Sequence, residues 1–423
     1  MDLYPPFSRM KQIAIVGSGP SGCYLADQLL RAIPDSTVDV LERLLVPFGL
    51  VRYGVSPDHQ GTKAVARVLD RILANPRVAF FGNVEVGRDI TLDQLLNTYN
   101  AVVLATGALR DRKLGIQGED LAGVLGSAAF VTWYNAHPEA LPPVLQSINS
   151  AVVIGNGNVA LDVARMLARD PAELAGSDLS PDVSAWLESQ SLKDIHIVGR
   201  RAASDAKFSQ HELMELGTMR RAQPRIAART ELAGEQPLLG VLREFMSAPA
   251  RSVPVNIHFH FNLAPVRFCG SGRLESVHFH SADRDCALSA QLAVTCIGYE
   301  AAPCCSARPT QGFFANDQGK IGGNLYVVGW AKRGPSGTIP SNRSEAQGLA
   351  QRIAEEMVDS AATGRAALID HLQRNGKRYV DYAAWKRIDA AETTSGTSAR
   401  CRIKFKSVPE MLKAAFSEND IPH

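Results

Sequence analysis

Apolar runs that end in glycine, each followed by a stretch with helical spacing, recur along the chain. Residues 12–16, QIAIV, read as a strand buried in a parallel sheet. The turn Gly17-Ser18-Gly19-Pro20-Ser21-Gly22 follows at once. Then comes CYLADQLLRA, whose apolar residues fall on one helical face, and a second strand, TVDVLE, that ends at Glu42. The order returns mid-chain with AVVI at 151–154, the turn Gly155-Asn156-Gly157-Asn158-Val159-Ala160, the helix LDVARMLAR and the strand IHIVG at 195–199. The polar stretch 170–193 is longer than such a connection needs and reads as an insertion. The segment RIAARTELAGEQPLLGVLREFM is helical in parts. AVVLATG at 101–107 and AVTCIGY at 293–299 are strands that end in a glycine able to turn the chain sharply. A last strand, Asn324 to Gly329 and Trp330, leads through AKRGPSG to Gly337-Thr338-Ile339-Pro340 and a long helix in which Pro340 suits the first turn.

The glycines give these turns a chemistry. In G-x-G-x-x-G the first glycine makes the tight turn, the second lets backbone approach a pyrophosphate, and the third lets helix and strand pack closely. The helix start then offers free N–H groups to the phosphates. Glu42, about 20 residues on, stands where an acid accepts hydrogen bonds from a ribose and repels a 2′-phosphate. FAD or NAD therefore fits the first turn. The second turn differs: its following strand ends in Arg200-Arg201, whose planar forks suit the 2′-phosphate of NADP(H). The expected fold is α/β, with two Rossmann-like dinucleotide-binding domains. The NADP domain (111–322) is inserted in a discontinuous FAD domain (1–110 and 323–423). A helix start near Pro340, aimed at a flavin, would stabilise negative charge on its reduced ring.

Composition narrows the class. The 423 residues fit two or three domains, and 45% hydrophobic content allows substantial cores. A formal net charge of +2 gives no whole-molecule case for binding nucleic acid or membrane. No apolar run reaches transmembrane length, and the N-terminus does not read as a signal peptide. The seven cysteines are scattered with no Cys-x-x-Cys, so neither zinc nor a disulfide framework is expected. Free thiols in a cytoplasmic protein are the expectation, with the role of the neighbours Cys304 and Cys305 open.

The chain resembles the adrenodoxin-reductase-type ferredoxin–NADP reductases, within the glutathione-reductase-like flavoproteins. The resemblance rests on GSGPSG at 17–22, ERLLVPFGLVRYGVSPDH at 42–59, GNVEVGRD at 82–89, ATGALRDRKLGIQGEDL at 105–121, FVTWYNAHP at 130–138 and GNGNVALDVAR at 155–165. GRR at 199–201, HELMELG at 211–217, IGYE at 297–300 and GWAKRGPSG at 329–337 extend it. It implies that Ser21, Glu42, Leu50 and Val86 hold the adenosine side or pyrophosphate of FAD. Trp330 and the backbone from Gly337 through Thr338 to Ile339 contact the flavin. Gly155 to Asn158, Arg200, Arg201 and Glu212 hold NADP, with Arg112 as an additional contact. His59 and Asp162 match a His/Asp pair near the flavin, and Glu215 an acid near the nicotinamide. Such a pair could manage the flavin proton while hydride moves.

The resemblance also implies an acidic iron–sulfur partner, a ferredoxin that could feed a monooxygenase or another redox system; a monomer is expected, with the oligomeric state open. Two basic stretches are candidates for docking it. One runs from Met219 through Arg220, Arg221 and Arg225 to Arg229; the other is the tail set Arg387, Arg400, Arg402, Lys404 and Lys406. A disulfide reductase is excluded, because residues 42–100 hold no cysteine. Two alternatives stay open: a flavoprotein subunit that oxidises NADPH for another reductase, and a non-catalytic NADPH or flavin sensor.

Overall fold

The structure is a computed structural model describing residues 10–142, 147–228, 230–282, 285–304, 306–358 and 361–416. Arg229 and Cys305 lie outside the described residues. Two six-stranded sheets organise the chain. In the first, the strands run in the order Lys320–Gly322, Leu325–Val327, Ala101–Leu104, Lys11–Val16, Ser36–Glu42 and Val78–Gly82. All pairings are parallel except the edge pairing of Lys320–Gly322 with Leu325–Val327. The second sheet is parallel throughout, in the order Val124–Gly126, Leu292–Thr295, Ser150–Ile154, Asp194–Val198, Val255–His260 and Ala222–Ile226.

Each sheet buries its central strands because they are apolar on both faces. Ile13, Ala14 and Ile15 are fully buried, as are Ala151, Val152 and Val153. One face of the second sheet is covered by helices. Part of the other is covered by a three-stranded antiparallel sheet, Ala264–Cys269, Ser276–His280 and Cys286–Ser289, which the apolar pattern did not announce. The polar stretch 170–193 holds a short 3₁₀ turn, Pro171–Leu174, and a helix, Pro181–Ser189. Arg110–Asp111 and Tyr299–Glu300 pair antiparallel where the chain passes between the two halves. The return to the first half comes earlier than the expected boundary at 323: Ala301, Cys304 and Phe314 already pack in the core behind the first sheet, and Lys320–Gly322 is one of its strands.

None of the four apolar clusters mixes residues from the two sheets. Buried polar groups join the halves instead. Lys63 Nζ lies 2.8 Å from both oxygens of Asp178 and 2.9 Å from Asn135 Oδ1. Lys404, from the tail, lies 2.7 Å from Asp178 Oδ2 and donates to the Asn135 carbonyl at 3.1 Å. Arg52 and Glu392, both buried, tie the tail to the first half.

Two lysines thus share one carboxylate. Burial and the neighbouring Lys404 charge push the Lys63 ammonium down to about 7, against the pull of Asp178. The usual lysine value is 10.5. Between those two pH values the unfolded chain holds a proton that the folded chain has released, so this group adds stability as pH rises through the window. Below about 7 both states are charged and its contribution is flat. Lys63→Gln, which leaves Asp178 paired with Lys404, is expected to reduce the rise in thermal midpoint from pH 7 to 9. Parallel melting curves for both proteins at pH 7, 8 and 9 check this.

Candidate active site

The first turn is a cradle closed by backbone contact. Gly17 has φ +112°, and a Cβ there would lie 2.4 Å from the Ala105 carbonyl oxygen. A Cβ at Gly22 would lie 2.1 Å from the Gly17 carbonyl oxygen, so helix Pro20–Ala32 packs on its strand at a distance that requires glycine. Gly19 meets no protein atom within 4 Å and caps that helix without a side-chain hydrogen bond. The N–H groups of the first turn, including Ser21, are left for a ligand. Glu42 ends its strand beneath the cradle and accepts from Ser18 N at 3.1 Å and Ser18 Oγ at 2.7 Å.

Other segments close around it. Leu50 opens a short helix after Gly49, whose own Cβ position lies 3.3 Å from Gly19 Cα. Val86, half-buried, packs against the core beneath the strand Val78–Gly82. Gly329 approaches so closely that a Cβ would lie 2.2 Å from Ser21 Oγ. Trp330 follows it, donates its indole N–H to the Ser336 carbonyl at 3.0 Å and stacks on Tyr299 with centroids 6.2 Å apart. Gly337 and Thr338 lead into the helix Ile339–Glu356. Thr106 Oγ1, at the end of the neighbouring strand, is buried without a partner.

The second cradle repeats the geometry with a different rim. Gly155 has φ +147°, and its Cβ position would lie 2.3 Å from the Cys296 carbonyl oxygen. Gly157 opens onto free space and caps helix Asn158–Ala168 without a side-chain bond. Val159 lies in the first turn, and Ala160 is fully buried. Asn158 Oδ1 accepts from Ser209 N at 2.7 Å, while Asn156 Oδ1 is buried without a partner. Arg200 and Arg201 are exposed, and neither guanidinium has a partner among the described residues. Arg200 borders an open cleft of about 500 Å³ with Asn262, Ala264 and His280.

Between the cradles lies a cluster of charges. Arg165, on the helix after Gly157, is fully buried. It contacts Asp58 at 2.9 Å, Asp162 at 2.6 Å, and Glu212 and Glu215 at 3.2 Å each. Arg169 adds a 2.5 Å contact to Asp58. Burial pushes the Asp162 carboxyl up to about 6; Glu212 adds to the rise, and Arg165 and His59 oppose it. Burial also acts on Asp58, but its two arginines outweigh it and hold that carboxyl at about 2. His59 Nε2 lies 3.1 Å from Glu215 Oε2 and 3.8 Å from Glu212.

The expected site residues are therefore partly brought together. His59 and Glu215 meet, but the partner of His59 is Glu215, and Asp162 bonds to Arg165 instead. Arg112 lies beside Glu300 on the connecting strand pair, with 3.7 Å between their charged atoms. Arg165 and Asp58 were not singled out from sequence, although Arg165 closes the stretch GNGNVALDVAR and Asp58 stands next to last in ERLLVPFGLVRYGVSPDH.

Most of the tail cations are taken up by pairs within the protein. Lys404 is buried against Asp178. Arg402 pairs with Asp389, Lys406 with Asp182, and Arg400 donates to Ser184 Oγ. Arg387 is exposed, with its Nε donating to the Ala415 carbonyl. Lys404, Lys406 and Arg400 hold the tail to the body, while Arg402 and Arg387 bond within the tail. In the other basic stretch Arg220 is exposed, while Arg225 lies on the edge strand Ala222–Ile226 and donates to Asn256. Cys23 and Cys304 are buried.

Two glycine cradles, one rimmed by an acid and one by arginines, define a pyridine-nucleotide oxidoreductase with a second dinucleotide site. A family profile described as pyridine nucleotide-disulphide oxidoreductase matches residues 11–201. The cindoxin reductase of Citrobacter braakii is 37% identical over 420 residues, covering 95% of this chain and 91% of that protein. The mitochondrial NADPH:adrenodoxin oxidoreductase of Arabidopsis thaliana is 32% identical, covering 96% of each. Mycobacterium tuberculosis FprA in complex with NADPH superposes with a TM-score of 0.90 at 34% identity, covering 96% of this chain and 100% of that one. The chain belongs to the adrenodoxin-reductase-type family of ferredoxin–NADP reductases, which use FAD and NADP(H).

Both cofactors suit the groups present: each cradle has a helix start without a side-chain cap, and beside it one buried polar oxygen, Thr106 Oγ1 or Asn156 Oδ1, has no partner among the described residues. Gly22→Ala is expected to lower both the thermal midpoint and the flavin content of the purified protein, through the clash with Gly17. Gly19→Ala meets no protein atom, so it should lower flavin content while leaving the apoprotein midpoint unchanged. Absorbance at the flavin band and melting of the stripped proteins separate the two effects.

Proposed function

We propose that this chain takes hydride from NADPH onto bound FAD and delivers the electrons singly to an acidic, ferredoxin-type iron–sulfur protein. FAD supplies the change from two-electron to one-electron chemistry; the chain supplies position, charge and proton control. The observation that carries the reading is the pair of unequal rims: Glu42 at one cradle, exposed Arg200 and Arg201 at the other.

In this reading Gly17, Gly19, Pro20, Ser21 and Gly22 shape the FAD pyrophosphate site, Glu42 binds ribose hydroxyls, and Leu50 and Val86 flank the adenosine side. Gly329, Trp330, Gly337, Thr338 and Ile339 border the flavin. Gly155, Asn156, Gly157, Asn158 and Val159 receive the NADP pyrophosphate, with Arg200 and Arg201 on the 2′-phosphate and Arg112 and Glu212 as further contacts. His59, held against Glu215, handles a proton at the junction of the halves, and Asp162 adjusts the local charge. The FAD domain is residues 1–110 with the C-terminal segment, and the NADP domain lies between. Arg220 and its neighbours offer charge for an acidic partner. No helix among the described residues is long and apolar enough to cross a membrane. The free thiols support a reducing, cytoplasmic setting.

Charge-assisted hydrogen bonds contribute about 1.5–3 kcal/mol each, or about 10- to 100-fold in affinity. Replacing Arg200 and Arg201 together by Ala is expected to raise the KM for NADPH by about that factor or more and leave that for NADH nearly unchanged. Equal losses for both would remove the 2′-phosphate role. Reduction of an acidic ferredoxin should slow with salt more steeply than reduction of a small neutral acceptor. Stopped-flow rates from low to physiological ionic strength test this.

A further inference from the structure

Arg165 donates to Asp58 on the loop before His59, Asp162 on its own helix and Glu212 on the helix Gln210–Gly217, and forms an ion pair with Glu215 on that same helix. Its Nη1 lies 3.2 Å from Glu215 Oε2, the same oxygen that lies 3.1 Å from His59 Nε2. A carboxylate paired with a guanidinium charge offers its other neighbour a lone pair, since it has no hydrogen to donate. The hydrogen between His59 and Glu215 therefore sits on Nε2. Nδ1 is left as the ring nitrogen free to gain or lose a proton. Asp58, bonded twice to Arg165, immediately precedes His59 in the chain, so the same guanidinium fixes both the backbone approach of the histidine and its hydrogen-bond acceptor.

We propose that Arg165 is a positioning residue that holds His59 in its Nε2–H tautomer against Glu215 and makes Nδ1 the proton-exchanging nitrogen of the site. The tautomer follows from geometry alone; its effect on hydride transfer rests on the proposed function. Arg165 acts through His59 and Glu215, in the way outer groups orient catalytic or ligating histidines elsewhere.

The test uses the flavin-loaded protein with ¹⁵N-labelled histidine. The His59 ring is assigned by its loss in His59→Gln, and two-bond proton–nitrogen spectra are recorded at pH 8. A single Nε2–H pattern is expected; an Nδ1–H pattern, or an averaged mixture, overturns the proposal. This measurement needs no electron acceptor, so failure of the proposed electron-transfer role leaves it standing.

Arg165→Lys keeps a cationic donor and should keep the Nε2–H pattern. Arg165→Met should lose it and slow flavin reduction by NADPH about 10- to 100-fold, with KM changed less than about threefold and the pH profile of the step displaced. Because Arg165→Met leaves buried carboxylates uncompensated, the double variant Arg165→Met with Asp58→Asn removes one negative charge together with the positive one. If either methionine variant folds, binds flavin and keeps both the tautomer and the wild-type pH profile, the proposal is overturned.

Discussion

A charge buried away from water must carry its counter-charge with it, and the junction between the two sheets of this protein is built on that requirement. Each half has its own apolar core. What crosses between them is Asp58 to Arg165 and Arg169, Lys63 and Lys404 to Asp178, and His59 to Glu215. Buried ion pairs gain little net stability over apolar contacts, because desolvation offsets the attraction. They are intolerant of misplacement, however, since a slipped half would strand several charges without partners. The junction therefore specifies one relative placement of the cradles more strongly than it glues them. Proton and hydride chemistry needs placement of that kind, because reacting atoms must approach within a few ångströms.

The cradles place a different demand on the backbone. At Gly17, Gly22 and Gly155 a single methyl group would overlap a carbonyl oxygen, so helix and strand are as close as main chain allows. That closeness aims the helix start at the turn, where its partial positive charge and open N–H groups act on a pyrophosphate. Gly19 and Gly157 serve another end. A Cβ at either would meet no protein atom within 4 Å, so the missing side chains leave open space at the turns. Glycines within one motif thus divide into those excluded by protein and those kept clear for cofactor.

The cradles and strands were legible in the sequence because their signals are local. An apolar run, a glycine turn and a helical period all fall within about thirty residues, and QIAIV, AVVI and IHIVG became strands within a residue of their expected ends. The junction was not legible in that way. Lys63 and Asp178 stand 115 residues apart, and Arg52 and Glu392 stand 340 apart, with no periodicity to link them. The tail cations were misread for the same reason: Lys404 and Arg402 look alike in sequence whether they face a partner or an internal aspartate. His59 was identified through resemblance, but its partner was taken to be Asp162, because sequence does not show which acid of two nearby helices reaches across. The three-stranded sheet after residue 263 was missed because its strands are short and one, Ala264–Cys269, exposes several of its side chains.

The position of the second sheet within the chain raises a question of closure that the connecting strands answer. Residues forming that sheet lie between two sets of strands belonging to the first, so the first sheet is complete only if the inserted part brings its ends together. Arg110–Asp111 and Tyr299–Glu300 pair directly at that point. Asp111 also accepts from Ala128 N at 2.8 Å and Ala129 N at 3.3 Å, at the start of helix Ser127–Tyr134. Ser127 Oγ donates within reach of both Asp111 and the Tyr299 hydroxyl, at 3.3 and 3.2 Å. One helix start of the inserted half thus binds both the strand that leads in and the strand that leads out. The entropy of closing a loop of nearly two hundred residues grows only with the logarithm of its length. Once the second sheet has formed, that loop is already short. Leu325–Val327 can then pair with Ala101–Leu104, which carries Gly329 and Trp330 to the first cradle. The first cradle is in this sense completed by the fold of the inserted half, and the ionic junction sets the two in register.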